Sequence, residues 1–138
     1  MIRKKLERVL KDLDCHDREL SILFTDDEQI AQLNEQYLGR KKPTNVLSFP
    51  MDDLPANNLE LGVVTQDLES VMLGDIVISV DTALREAEKS GESFGYTIDR
   101  LLVHGILHIL GYNHEKSAVE ARLMEKEEKR LMKLVRED

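Results

Sequence analysis

The chain has 138 residues, of which 41% are hydrophobic and 33% are charged, and its formal net charge is −8. This length suits one domain with its own core, and no run approaches the roughly 18 consecutive apolar residues of a transmembrane helix. The acidic balance excludes indiscriminate binding to nucleic acid, because such binding depends on cations that neutralise phosphates.

The first part of the chain predicts a helix, a strand and a second helix, in that order. Apolar residues recur at three- and four-residue steps through residues 2–13, which indicates an amphipathic helix. Apolar and polar or smaller residues alternate through residues 20–24, which indicates a strand. Asp26 or Asp27 then caps a second helix, which stops at Gly39.

The middle of the chain predicts two strands separated by a long loop. A turn at 43–45 leads into a short strand at 46–49, which Pro50 closes. Residues 51–73 are the least regular stretch, and a loop of that length in a compact domain is often functional. The near-continuous apolar run at 74–79 predicts a central strand of the sheet.

Three helices are predicted after this strand. The first follows it at once and ends near Gly91. The second begins near Tyr96 or Thr97 and stops at Gly111, and it is apolar on most of its circumference, so we expect it to be buried. A capping box at 117–120 opens a charged C-terminal helix. The residues expected to pack this last helix are Val119, Leu123, Leu131 and Leu134.

The order of these elements predicts the fold class. Helices interleave with strands, and no linker or repeat divides the chain. We predict an α+β fold in which residues 1–138 form a single domain, with a small mixed sheet of about three to four strands packed with about five helices. The N-terminus lacks the apolar segment of a secretory signal, and the single cysteine, Cys15, forms no internal disulfide. We therefore expect a cytoplasmic protein that is not bound to a membrane.

The segment 103–114 contains the residues with the clearest chemistry. His104 and His108 are four residues apart, hence about 40° apart around a helix and one turn along its axis. Two imidazoles placed in this way can each bind one zinc ion, at about 2.0–2.1 Å. Gly111 lets the chain leave helical geometry and turn back, which delivers His114 as a third ligand. We predict one zinc ion bound by these three histidines on a central helix, with water or an anion in the fourth position.

This ligand spacing is that of the metzincin zinc proteases, with one difference. Those enzymes carry a glutamate directly after the first histidine as the general base, whereas this chain has Gly105. No Asp or Glu occurs in the segment 103–114, so we predict that no carboxylate takes over that position. A proton acceptor would come from the substrate, from water or from a distant residue such as Asp75. A metallopeptidase remains an alternative.

A purely structural zinc is a second alternative. A closed structural site needs a fourth protein ligand, and the only thiol, Cys15, is far away in the sequence. Three histidines instead leave a coordination position open for water, whose pKa zinc can lower to about 7. The sequence therefore favours a hydrolytic site.

Three segments, 104–112 with His114, 43–50 and 73–78, together resemble the YbeY endoribonucleases. The resemblance covers nearly the whole chain. It implies a zinc-dependent endoribonuclease, a hydrolase that cleaves single-stranded RNA. It also implies a role in ribosomal RNA maturation and in quality control of the small ribosomal subunit, which would be a partner. The alternative from a different class is a non-catalytic ribosome-assembly factor with a structural zinc.

The resemblance also draws attention to the basic turn at residues 40–42. Family members carry an arginine directly after the aromatic of the Tyr-x-Gly turn at residues 37–39; here that position is Leu38, and Arg40 follows two residues later. The aspartate that usually precedes the third histidine is Asn113 here. Phosphodiester cleavage builds negative charge on the phosphoryl oxygens, and a guanidinium can bind two of them at once. We predict that Arg40 is a catalytic residue that reaches the zinc cleft. The alternative is an exposed basic turn that Arg40 shares with Lys41 and Lys42.

Overall fold

The computed structural model describes residues 2–15, 18–50, 71–112 and 117–136. Within these ranges the chain forms five helices around one three-stranded sheet, so the predicted α+β class is confirmed. The helices are α1 (Ile2–Asp12), α2 (Asp27–Leu38), α3 (Val80–Ser90), α4 (Phe94–Ile109) and α5 (Ala118–Arg136). The strands are β1 (Arg18–Thr25), β2 (Val46–Pro50) and β3 (Val71–Ser79). In this described part, no helix is both long enough and apolar enough to cross a membrane.

The sheet has the order β1-β3-β2, and it is mixed as predicted. The central strand β3 pairs with β1 in parallel and with β2 in antiparallel orientation. Its residues Ile76, Val77 and Ile78 are buried, which explains the continuous apolar run. β3 begins at Val71 rather than at the predicted position 74, because its pairing with β1 starts there. The rest of the predicted loop, residues 51–70, lies outside the described residues.

Side-chain caps set where the helices begin. Asp26 and Ser117 accept hydrogen bonds from backbone N–H groups three residues further on, at 2.8 and 3.1 Å, as the sequence predicted. Ser93 does the same for the N–H of Tyr96, at 3.1 Å. Helix α4 therefore begins at Phe94, and the predicted start at residue 96 or 97 is two or three residues late.

Helix α4 is the buried centre of the fold, as its composition predicted. It packs against β2 and β3 on one side and against α3 and α5 on others. The core that these elements share includes Ile76, Ile78, Leu101, Ile106, Leu107 and Leu131. One carboxylate lies among them: Asp99 is 3% exposed and accepts from Lys5 Nζ at 3.0 Å and from Arg136 Nη1 at 2.8 Å. This pairing offsets the cost of burying the charge and joins α4 to α1 and α5.

The predicted packing face of α5 is wrong in its first part. Val119 and Leu123 are 56% and 52% exposed, whereas Leu131 is buried as predicted. The buried stripe of α5 instead runs through Met124, Leu131 and Val135, whose spacing keeps them on one helix face. Leu123 precedes Met124 by one residue and so lies about 100° away around the helix, on a face turned to solvent.

Candidate functional site

His104 and His108 bring two ring nitrogens together on α4. Their Nε2 atoms lie 3.1 Å apart, and the two rings are inclined at 70° with centroids 4.6 Å apart. With zinc–nitrogen bonds of about 2.0–2.1 Å, two nitrogens at this separation subtend roughly 100° at the ion, which is close to tetrahedral. The pair therefore fits a shared zinc ion, and both rings lie at the protein surface, where a substrate can reach them.

The turn that follows α4 has the geometry predicted for it. Gly111 has φ +103°, in the left-handed region that favours glycine, and its N–H donates to the carbonyl of His108 at 3.0 Å. The predicted third ligand, His114, lies outside the described residues, together with Asn113. Among the residues that the structure does describe, no group of three or more metal-ligating side chains forms. Ligation by His114 stays a prediction.

A carboxylate that sequence reasoning missed contacts the first of these histidines. Glu128 reaches His104 from α5, and its Oε2 forms a hydrogen bond with Nδ1 of the ring. This is the nitrogen opposite the one that faces His108. A signal for Glu128 exists in the sequence, since it falls between Met124 and Leu131 at the spacing of a buried helix face. A charged residue in such a position needs a partner.

The two histidines lie on the wall of a cavity of about 790 Å³, which is formed by the end of α2, the segment leading into β2, β2 itself and α4. Arg40 and Lys42 line the same cavity. Lys41 does not; its ammonium pairs with Glu35 at 3.5 Å. The structure thus places Arg40 on the wall of the same cavity as the two histidines, and its predicted catalytic role at a zinc ion stays a prediction. The described residues of the lining are Asn34, Tyr37, Leu38, Arg40, Lys42, Thr44, Asn45, Val46, Leu47, Ser48, Phe49, Pro50, His104 and His108.

Acidic side chains are absent from this lining in the described ranges. Asp75, which the sequence offered as a distant proton acceptor, lines a neighbouring cavity of about 350 Å³, which shares Tyr37 and Phe49 with the cavity of the histidines. Cys15, the fourth zinc ligand of the structural alternative, is buried in the core and its Sγ donates to the carbonyl of Leu13 at 3.4 Å. Neither residue is among the described lining of the cavity of the two histidines.

Gly105, between the two histidines, faces the sheet, including Ser48, which also lines the cavity. A Cβ built on this glycine would lie 3.0 Å from Cδ1 of Ile76 and 3.0 Å from Oγ of Ser48. The residue that follows the first histidine therefore lies where α4 packs against β2 and β3. A glutamate at 105, as in the metzincins, would meet the sheet before it reached the cavity.

The fold and the site define a small α+β protein with a candidate metal centre on its central helix. The family model described as Endoribonuclease YbeY matches residues 1–136. The chain therefore belongs to the endoribonuclease YbeY family, and the resemblance seen in its three sequence segments is confirmed.

Individual relatives agree with this assignment. An Endoribonuclease YbeY from Syntrophus aciditrophicus is 44% identical over 97% of this chain and 79% of its own length. One from Geobacter metallireducens is 45% identical over 97% of this chain and 84% of its own. Among solved structures, the solution structure of TM1509 from Thermotoga maritima is similar, with a TM-score of 0.65, 25% identity and coverage of 96% of this chain and 77% of that one.

Proposed function

We propose that this protein is a zinc-dependent endoribonuclease that cleaves single-stranded RNA in the cytoplasm. Its substrate would be ribosomal RNA, in maturation and in quality control of the small ribosomal subunit. The names of its relatives support endoribonuclease activity. The observation that carries the proposal is the approach of the Nε2 atoms of His104 and His108 to 3.1 Å on the wall of a cavity that Arg40 also lines.

The charge of the cavity suits a phosphate backbone. The whole chain carries a formal net charge of −8, yet the described lining holds the cations of Arg40 and Lys42 and no carboxylate. Cations in a concave site attract a polyanion locally, while the acidic remainder of the surface opposes binding elsewhere. Such a distribution favours RNA in this cavity over nonspecific coating of the protein.

Three described residues of the cavity, His104, His108 and Arg40, have a defined task in this proposal. His104 and His108 would hold the zinc ion, with His114 as the third ligand. Zinc, when bound, supplies a Lewis acid for a phosphoryl oxygen and lowers the pKa of water. Arg40 would bind the phosphoryl oxygens, where negative charge grows during cleavage.

Two features of the cavity support a preference for single strands. The rings of Tyr37 and Phe49 line it, and Tyr37 is 42% exposed. An unpaired base can stack on an exposed aromatic ring, whereas the bases of a duplex keep their faces covered by their neighbours.

The position of Gly105 opposes the metallopeptidase alternative. A peptidase of this ligand spacing needs a carboxylate beside the metal-bound water, and position 105 is filled by contact with Ile76 and Ser48. The structural alternative, a ribosome-assembly factor with a closed zinc site, is opposed by the burial of Cys15 in the core.

One assay separates the three functions. Metal-stripped and zinc-restored protein is incubated with single-stranded RNA, duplex RNA and casein, alongside His108→Ala. We expect cleavage of single-stranded RNA alone, only after zinc is restored, and none by His108→Ala. Cleavage of casein would establish the peptidase, and zinc binding without any cleavage would establish the structural role.

A further inference from the structure

We infer that Glu128 is a positioning residue for the metal centre. Its carboxylate accepts a hydrogen bond from Nδ1 of His104, and this contact fixes the ring so that Nε2 presents its lone pair beside Nε2 of His108. The inference rests on the proposed function, because zinc is the ligand that those two nitrogens would share.

The place of Glu128 on α5 shows that this contact is not an incidental surface pair. Met124, Leu131 and Val135 lie at the same helix face, and each is at most 4% exposed. Glu127 and Glu128 both continue the stripe at steps of three and four residues; Glu127 pairs with Arg130 on its own helix, whereas Glu128 reaches across to α4. A carboxylate there loses part of its hydration and needs a donor, and the ring of His104 provides it.

The chemistry of imidazole then determines which nitrogen is available. A neutral ring has one N–H, and a carboxylate can only accept, so the proton belongs on Nδ1, which faces Glu128. The lone pair is therefore on Nε2, the atom that approaches His108. Carboxylates that hold a metal-binding histidine in this way fix its tautomer and orientation and raise its basicity.

Glu128 is not placed to be a ligand itself. It does not line the cavity of the two histidines; it lines a separate groove of about 500 Å³ between α4 and α5. Helix α5 is anchored in the part that follows Glu128, by Arg130 Nη1 with Asp12 at 2.7 Å and by Arg136 Nη1 with Asp99 at 2.8 Å. These contacts hold the carboxylate against Nδ1 of His104, the ring nitrogen opposite the one that approaches His108.

The test measures zinc affinity rather than cleavage. Zinc binding is followed by competition with a chelator in the wild type, Glu128→Gln, Glu128→Leu and the control Glu125→Gln. Glu125 is exposed on the same helix, so its change removes the same charge without touching His104. We expect Glu128→Leu to lower zinc affinity about 10–100-fold, because it has no acceptor. Glu128→Gln should lose less, since its amide oxygen still accepts, and Glu125→Gln should match the wild type.

A second readout reports the ring directly. In ¹⁵N NMR spectra of the metal-free protein, we expect His104 to carry its proton on Nδ1 in the wild type and in Glu128→Gln, and a mixture of tautomers in Glu128→Leu. Leucine suits the buried stripe, so urea denaturation should show that this variant remains folded.

The outcomes separate the inference from the proposed function. If the wild type does not bind zinc, the proposed function fails, while the ¹⁵N spectra still test the positioning of His104. If the wild type binds zinc and Glu128→Leu binds it equally well, the inference is overturned and the proposed function stands. An unchanged tautomer of His104 in Glu128→Leu would also overturn it.

Discussion

The side-chain amide of Asn34 donates a hydrogen bond to the main-chain carbonyl of Lys42, at 2.8 Å. The main-chain carbonyl of Asn34 accepts from the N–H of Arg40, at 3.3 Å, so one residue of α2 holds both ends of the basic turn. Asn34 is only 2% exposed, whereas the side chain of Arg40 is exposed on the cavity wall. The backbone of Arg40 is thus fixed before any substrate binds, which reduces the entropy lost when the guanidinium engages a phosphate.

From this arrangement we predict a catalytic effect of Arg40. Arg40→Ala should lower turnover at saturating RNA by about 100-fold, the usual loss when one donor to a developing oxyanion is removed. Arg40→Lys should restore little, because an ammonium cannot hold two oxygens in a planar fork. Lys41→Ala is the control, since Lys41 pairs with Glu35 outside the cavity. If Arg40→Ala instead has an unchanged turnover and a raised KM, Arg40 binds the phosphates of the RNA but takes no part in cleavage.

A second prediction concerns the contact of Gly105 with the sheet. Alanine in place of glycine stabilises a helix by roughly 0.5–1 kcal/mol, but a Cβ at 105 would lie 3.0 Å from Ile76 Cδ1, so that the buried Ile76 side chain would have to shift. Gly95 lies on the same helix, and a Cβ added there would meet no atom within 4 Å, so it is a matched control. We expect Gly95→Ala to raise the free energy of unfolding, as measured by urea denaturation. The free energy of unfolding of Gly105→Ala should be about 1–3 kcal/mol lower than that of Gly95→Ala.

The peptidase motif itself can be rebuilt at this position. Gly105→Glu restores the metzincin pattern, but its carboxylate would enter the contact with β2 and β3, so we expect a loss of at least about 3 kcal/mol in stability. The variant should gain no activity on casein. A stable Gly105→Glu protein that cleaves casein would show that position 105 faces the metal after all.

A third prediction follows from the carboxylate of Asp27, which joins α2 to the start of α3. Hydrogen bonds from Ser79 and Thr82, at 2.6 Å each, lower the pKa of Asp27 most, and the guanidinium of Arg85 lowers it further. A carboxyl whose pKa is lower in the folded state stabilises the protein above its unfolded pKa. That contribution is lost as the pH falls through the lower, folded value.

The measurement compares Asp27→Asn with the wild type across pH. At pH 7 the variant should lose roughly 1–2 kcal/mol in the free energy of unfolding, a figure reduced for partial exposure of the side chain. The difference should begin to shrink below about pH 4, where the carboxyl of the unfolded chain becomes protonated, and should go on shrinking until the folded carboxyl is protonated at its lower pKa. Glu28→Gln, an exposed neighbour, should show no such dependence. A difference that stays constant down to pH 2 would contradict the role of the charge.

Local rules were sufficient for most elements of the fold. The caps at Asp26 and Ser117, the left-handed stop at Gly39 and the apolar run of β3 each depend on neighbours in the chain, and each was predicted from the sequence. The spacing of His104 and His108 is equally local, because one helical turn brings the two rings together whatever surrounds them.

What the sequence did not reveal depends on packing between distant segments. Val119 and Leu123 fit an amphipathic pattern, but which face of α5 is buried depends on where α1 and α4 lie. In the sequence, Glu128 is one of many charged residues of α5. Only the packing of α5 against α4 brings its carboxylate to His104, which lies 24 residues earlier in the chain. The reason for a glycine at position 105 is likewise visible only in the structure, where Ile76 lies too close to leave room for a side chain.

The last prediction concerns Tyr37 as a platform for an unpaired base. Tyr37 is 42% exposed and lines the cavity. Its ring packs edge to face against Phe49, with centroids 5.2 Å apart, so one side of the ring is in contact with the protein and another is accessible. Stacking of one base on an aromatic ring contributes about 1–3 kcal/mol. In a His108→Ala background, which prevents cleavage, Tyr37→Ala should therefore weaken binding of single-stranded RNA by about 10-fold, measured by fluorescence anisotropy. Tyr37→Phe should bind as the parent does. Phe94→Ala, which removes an exposed ring that does not line this cavity, should have no effect, and equal losses in the two alanine variants would contradict stacking at Tyr37.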